Sequence, residues 1–409
     1  MVTAFDIDAQ LLSPAYVASP YATYDLLRAE APVYWSAKWS AWLVTRYDDA
    51  IQILLDYRRF SNVGRYTQYL SQLPQTERQQ LAYLLDHYEH GGLVQSDPPD
   101  HTRLRRLVNA AFTPRAVARM RGLVEQTADR LLDAAQARGR FDLVRDFAFP
   151  LPAIVIAAML GAPADERDRF KEWSSNIQQF LGSGDAAFPA ALRAQRSWQE
   201  MNAYFAALLT ERQRQPQNDI ISALAAAREG DDALGEHEIV GTAGAMQIAG
   251  HETTTNLIAS GTLALLTHPE QLAAWRAEPS LDASAVEEFL RFDSPFQSVP
   301  RRVTQNTVLR GMHLAVDDLV YVMLGAANRD PAQFRDPATL DIRRGDGRQI
   351  AFGHGIHHCL GAALARLEAP IALRRLFDRL PTLHVVPDAP PLWKRSMGQR
   401  GLERFTVTG

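Results

Sequence analysis

Apolar positions recur at helical spacing through most of the chain. Pro114 to Ala137, Leu151 to Leu160, Arg167 to Leu181 and Arg193 to Arg214 place apolar residues three and four apart, which predicts helices with one buried face. Glu236 to Leu266 contains no proline and predicts one helix of about 30 residues, roughly 45 Å long at the α-helical rise. That is near a domain diameter, so this helix is expected to cross the core. Shorter apolar runs predict strands: Pro32 to Trp35 and Ala41 to Thr45, joined by a turn, then Val299 to Val303 and Asp318 to Leu324. A helix is expected from Asp48 to Leu55, another after Cys359, and a strand in the tail from Leu402 to Val407. Between Asn62 and Gln95 the pattern is mixed and sets no element. The class expected is mainly α with small β-sheets (α+β). With no repeat, low-complexity tract or linker, the 409 residues are expected to form a single domain, β-rich near about 30–60 and 297–325.

Composition narrows the classes. A formal net charge of -4 gives the whole molecule no bias toward nucleic acid or an anionic membrane. The most apolar stretch, Gly241 to Leu266, is interrupted by Gln247, His251, Glu252, the run Thr253-Thr254-Thr255 and Asn256, which suits a buried helix better than a membrane span. The one cysteine, Cys359, excludes an internal disulfide and fits a reducing compartment. The N-terminus, Met1 to Asp6, lacks the basic start and apolar run of a signal peptide, so the protein is expected to be cytoplasmic.

That cysteine sits in Phe352-Gly353-His354-Gly355-Ile356-His357-His358-Cys359-Leu360-Gly361. The glycines allow a tight turn and close approach to a flat ligand. A helix beginning near Leu360 would aim its N-terminal amides at a sulfur anion, and hydrogen bonds to that sulfur tune a metal–thiolate bond. The plainer reading of a lone cysteine is a small buried hydrophobe. His354, His357 and His358 also offer zinc-type ligands, but adjacent residues rarely chelate one ion together. The spacing of Phe352, Gly355, Cys359 and Gly361 resembles the haem-binding loop of the cytochromes P450, here of the soluble bacterial type. The resemblance implies a haem b held between the central helix and this loop, with Cys359 as axial iron ligand and Phe352, Gly353 and Gly361 against the cofactor.

Further motifs occur in the family's order from about Pro32 to Val407. Glu288-Phe289-Leu290-Arg291 places an acid and a base on one helical face, which alone is most simply an exposed ion pair. The resemblance makes Glu288 and Arg291 a structural pair, with Arg335 of Phe334-Arg335-Asp336-Pro337 as third partner. Ala249-Gly250-His251-Glu252-Thr253-Thr254 lies mid-helix, where a glycine and hydroxyl side chains can loosen the ladder and open a groove for O2. The alternative is that the threonines only bond back to helix carbonyls. The resemblance implies that Ala249 and Gly250 contact the haem, that Thr253 stands beside the dioxygen site and that Glu252 relays protons. His101 and Arg105 share a helical face. They, Arg301 and His357 match positions that hold haem propionates in the family. Because side chains alternate across a strand, either Arg301 or its neighbour Arg302 points inward; the family match selects Arg301.

The implied reaction is insertion of one atom of O2 into a hydrophobic organic substrate, by hydroxylation or epoxidation. The alternatives are a peroxide-driven enzyme on the same fold and a non-catalytic haem-binding protein. No flavin, nicotinamide or iron–sulfur motif is evident, so electrons are expected from a separate ferredoxin or flavodoxin with an NAD(P)H-dependent reductase. That partner would meet a basic patch of Arg103, Arg106, Arg115 and Arg366. Substrate contacts are expected from Tyr66 and Tyr69, from Phe180 and Leu181, from Ala245 and Ile248 on the long helix, and from Ser298, Val299 and Met397. This mostly apolar set suits a hydrophobic ligand. A monomer is expected.

Overall fold

The proline-free run forms one helix, Glu236–Thr267, in a computed structural model that describes residues 7–90, 92–163, 166–182 and 187–409. Met1 to Asp6, read above for a signal peptide, lie outside the described residues. At the start of the helix, Gly235 N donates to the Glu238 carboxylate at 2.8 Å, satisfying an amide the first turn leaves open. Just past its end, Pro269 opens the next helix.

The helices packed most extensively on the long one are Pro150–Leu160, Phe188–Arg214 and Ala362–Arg379. Pro150–Leu160 is apolar nearly all round and almost wholly buried, as a helix without a wet face must be. Its Ile156 lies against Gly250. A Cβ on Gly250 would stand 2.7 Å from Ile156 Cγ1, so glycine is what lets these two backbones meet.

Some predicted elements change at their edges. Pro114 to Ala137 divides into Pro114–Arg119 and Arg121–Gln136. At the join, Met120 N bonds Val117 O, three residues back, and Gly122 follows, which weakens helix continuity. Phe188–Arg214 starts earlier than Arg193, with Pro189 in its first turn, where a missing N–H is harmless. The mixed stretch contains Arg65–Leu70, Gln75–Gln80 and Ala82–His90. Ala362–Arg379 runs through Pro370, which removes one ladder donor without ending the helix. The tail forms two short strands, Leu402–Arg404 and Thr406–Thr408, with Phe405 buried between them.

The largest sheet runs in the order Val33–Ser36, Ala41–Val44, Leu319–Val322, Val299–Val303, Phe60–Ser61. All its pairings are antiparallel except that of Ala41–Val44 with Leu319–Val322. Val320 pairs with Arg301, and the pleat buries Arg301 while Arg302 reaches Asp317 at 2.6 Å. Leu324–Ala327, expected to begin as strand, is a helical turn. Among the described residues no helix is long and apolar enough to cross a membrane.

Candidate active site

The Cys359 loop and the middle of the long helix border one cavity of about 430 Å³. The loop is held by its own backbone: Cys359 N donates to Phe352 O at 2.9 Å and His358 N to Gly355 O at 3.1 Å. Gly355 has φ +72°, and a Cβ there would stand 2.6 Å from Leu54 O, so no other residue fits the turn. The helix proper starts at Ala362, two residues later than expected. Cys359 is open to the cavity but lies deep in the protein, and desolvation there pushes its thiol above the ordinary value. The amides of Gly361 and Ala362 and the charges of Arg105 and Arg366 oppose this only in part. A bound cation reverses that balance outright, since a coordinating thiol is deprotonated. Phe352, Gly353 and Gly361 line the cavity as well.

Four expected anion contacts converge here. Arg105, Arg301 and His357 line the cavity, and His101 stands behind His357, ring centres 4.3 Å apart. Arg105 donates to His358 O at 2.8 Å, tying its helix to the loop. A fifth group went unread in the sequence. Arg65, buried with its Nε unpartnered, lines the same cavity. Neither Arg65 nor Arg301 makes an ion pair with a carboxylate among the described residues. Burial, then repulsion from Arg65, lowers Arg301 from its ordinary value to about 9. His101 Nε2 is buried without a hydrogen-bond partner, whereas His357 Nε2 faces the Asp97 carboxylate at 3.8 Å, and burial above all pushes His357 down to about 4. Two guanidiniums with no carboxylate ion pair and the unpartnered ring nitrogen of His101, around an apolar cleft, favour an anion there. A flat apolar group with two carboxylates, which is what haem is, fits that donor set.

On the long helix, Ala249, Gly250 and Thr253 line the cavity. The helix is unbroken there, so the expected loosening is absent. Thr253 Oγ1 donates back to Ala249 O at 3.0 Å, the arrangement weighed above as the plain alternative. Glu252 turns away from the cavity, and Lys394 Nζ donates to it.

Of the expected substrate contacts, Tyr66, Tyr69, Leu181, Ala245, Ile248, Ser298, Val299 and Met397 border the cavity. Phe180 does not. It is fully buried behind the tyrosines, its ring 5.7 Å from Tyr69 and 6.2 Å from Tyr88. The third partner of Glu288 and Arg291 is Arg344, at 3.1 Å from Glu288, and not Arg335. Arg335 is exposed and contributes only backbone: its N–H to Asp346 and its carbonyl to Arg344. The basic patch is largely neutralised, since Arg103 pairs with Glu238 and Asp232, Arg106 with Glu229 and Arg366 with Glu287.

A mainly helical fold with a deep cavity bordered by a cysteine loop and ringed by unpaired cations defines a haem-thiolate class of protein. The chain belongs to the cytochrome P450 family, whose model matches residues 42–392. The biotin biosynthesis cytochrome P450 of Bacillus subtilis (strain 168) is 38% identical over 407 residues, covering 98% of this chain and 99% of that relative. Cytochrome P450 monooxygenase PikC of Streptomyces venezuelae is 40% identical over 409 residues, covering 98% and 94%. The crystal structure of P450BioI in complex with hexadec-9Z-enoic acid ligated acyl carrier protein superposes with a TM-score of 0.87 at 37% identity, over 97% of this chain and 100% of that one. The chain is therefore a cytochrome P450 monooxygenase, an oxidoreductase, and its family implies a haem cofactor.

Proposed function

We propose that this enzyme inserts one atom of O2 into a hydrophobic small molecule, using haem b and electrons from a separate ferredoxin or flavodoxin with its reductase. The observation that carries this reading is the single cavity shared by Cys359 and the Ala249–Thr254 stretch, apolar apart from its cationic rim. The family relative crystallised with a hexadec-9Z-enoic acid ligated acyl carrier protein supports an apolar substrate. When bound, haem supplies the dioxygen-activating chemistry. Cys359 would hold its iron through the sulfur. Arg65, Arg105, Arg301, His101 and His357 would take the propionates, and Ala249, Gly250, Phe352, Gly353 and Gly361 would lie against the cofactor. The Thr253 hydroxyl faces the cavity where dioxygen would be activated and a proton would have to arrive, and Glu252, next to it on the helix, is the carboxyl that would bring it. The aromatic and aliphatic wall excludes water and orients the substrate. The whole chain acts as one domain and a monomer.

The test is the carbon-monoxide difference spectrum of the reduced protein. A band at the thiolate position is expected; a histidine-type band removes the assignment of Cys359. Binding of an apolar substrate is expected to displace water and shift the haem spin state. The propionate reading has its own check, the ratio of haem to protein after purification and dilution. Arg65→Gln and Arg301→Gln are each expected to weaken haem retention about tenfold or more, the scale of a lost charge-assisted hydrogen bond. Arg302→Gln, on the opposite side of the same strand, is expected to change nothing. Equal loss in all three variants contradicts the assignment.

A further inference from the structure

Four threonines of the long helix return their hydroxyls to its own backbone. Thr253, Thr255, Thr262 and Thr267 each donate to the carbonyl four residues back, at 2.8 to 3.0 Å. Thr242 does not. It borders the cavity, yet its Oγ1 is buried with no hydrogen-bond partner among the described residues. A second such atom comes from the short helical turn Leu93–Gln95: Gln95 borders the cavity, and its Oε1 is buried and unpartnered as well. A third group is Tyr88 of Ala82–His90. Its oxygen accepts from Trp198 Nε1 at 3.3 Å, while its own proton reaches no acceptor among the described residues. These groups belong to one part of the wall. The turn Leu93–Gln95 packs against both the long helix and Ala82–His90. Trp198 sits beside Gly244, where a Cβ would stand 3.1 Å from its Cζ3. Gln247 and Asn256 of the long helix also carry unpartnered amides, but neither borders the cavity.

None of the three groups is charged. An amide oxygen takes a donor, a phenol proton takes an acceptor, and a threonine hydroxyl serves as either. Buried polar atoms without partners cost free energy, which a ligand that completes them recovers. An alcohol O–H offers both a donor and an acceptor; a hydrocarbon offers neither. Thr242 also shares a helical face with Ala249 and Thr253, two and three turns on, roughly 10 and 16 Å along the axis. We propose that Gln95, Thr242 and Tyr88 anchor a neutral hydroxyl group of the substrate, roughly 10–16 Å from the point of oxidation. The substrate class is then an apolar molecule with an alcohol remote from the carbon that is oxidised. This rests on the reading of the cavity as the substrate site. A site built around such a group discriminates strongly against analogues that lack it, because its own polar atoms then stay unpaired.

The experiment titrates the haem-loaded full chain with dodecan-1-ol, its methyl ether and dodecanoic acid, read as the haem spin-state shift. The ether keeps the acceptor oxygen but lacks the proton that Gln95 takes. Wild type, Gln95→Leu, Thr242→Val and the double variant are compared, each replacement being close in shape to the original. In wild type the alcohol is expected to bind about tenfold or more tightly than the ether. In the double variant that ratio is expected to fall to about twofold or less, through weaker binding of the alcohol. Thermal unfolding without ligand is the second readout. Both single variants are expected to hold or raise the Tm, because an apolar group replaces a buried polar one that has no partner. A loss of several degrees means that these atoms serve the fold, and overturns the proposal. Equal affinity for alcohol and ether in wild type overturns it too, and leaves the apolar-substrate reading in place. Should dodecanoic acid bind most tightly and keep that preference in the double variant, the anchor is cationic and the proposal is wrong. If none of the probes shifts the spin state, the cavity does not take an apolar chain, and both readings fail.

Discussion

Cys359→Ala is expected to abolish the thiolate-type carbon-monoxide band and to lower product formation by roughly three orders of magnitude or more, the scale on which losing a catalytic group acts. The expectation follows from the surroundings of the sulfur. Burial disfavours its ionised form, while two amides and two arginines point the other way without prevailing. With haem bound, a thiolate in that setting would be held by the iron, and the charge it donates would favour oxygen activation. Loss of the sulfur removes both the bond and the push. The fold should tolerate the change, because the side chain borders the cavity and Cys359 N–H still reaches Phe352 O at 2.9 Å. Melting of the apoprotein is therefore expected to stay within a few degrees of wild type, which separates a ligand effect from misfolding. Cys359→His serves as the second arm, expected to give a histidine-type band with little turnover. An Ala variant retaining the wild-type spectrum and rate would dismiss Cys359 as the ligand.

What the sequence made legible is what local chain chemistry controls. The Cys359 loop is one continuous segment whose glycines and sulfur lie within ten residues, so it could be singled out as a candidate site without knowing the fold. The long helix was equally plain, since the absence of proline and a sustained apolar pattern are local properties. Arg301 was separable from Arg302 because strand alternation is a local rule, although only the family match told which of the two faces inward. Tertiary partners were not legible. Arg65 lies in a stretch whose three short helices have weak patterns, and nothing near it marks a buried guanidinium. Lys394 meets Glu252 across 142 positions of sequence, a pairing that no spacing announces. Phe180 looked like a wall residue because it adjoins Leu181, yet one step around a helix is about 100°, enough to turn it from cavity to core. Thr253 shows the limit from the other side: its hydroxyl faces the right cavity but is engaged with its own helix.

Among stability variants the largest loss is expected from the buried charges around Glu288. Replacing Glu288 with alanine leaves the buried Arg291 without its carboxylate and Arg344 with Asp346 alone, and is expected to destabilise the protein by about 3–5 kcal/mol, the usual result of removing one partner of a buried pair. Glu288 accepts from Arg291 at 2.7 and 2.8 Å, from Arg344 at 3.1 Å and from the Asp341 amide at 2.8 Å. Arg291 also donates to the carbonyls of Asn328, Pro337 and Thr339, and its guanidinium stacks 5.4 Å from the Phe334 ring centre. That fork fastens the helix Asp282–Phe292 to the loop that leads toward Cys359. Arg291→Lys keeps the charge but cannot reach these acceptors in one plane, so it too is expected to lose much of the stability. Arg344→Ala should follow Glu288→Ala in direction. Arg335→Ala, by contrast, should stay within about 0.5 kcal/mol, because its side chain is solvent-exposed and the bonds it supplies come from backbone that alanine retains. Denaturant unfolding of the four variants tells the two arginines apart. A large loss at Arg335 with none at Arg344 would return the third place to the arginine of the Phe-x-x-Pro segment.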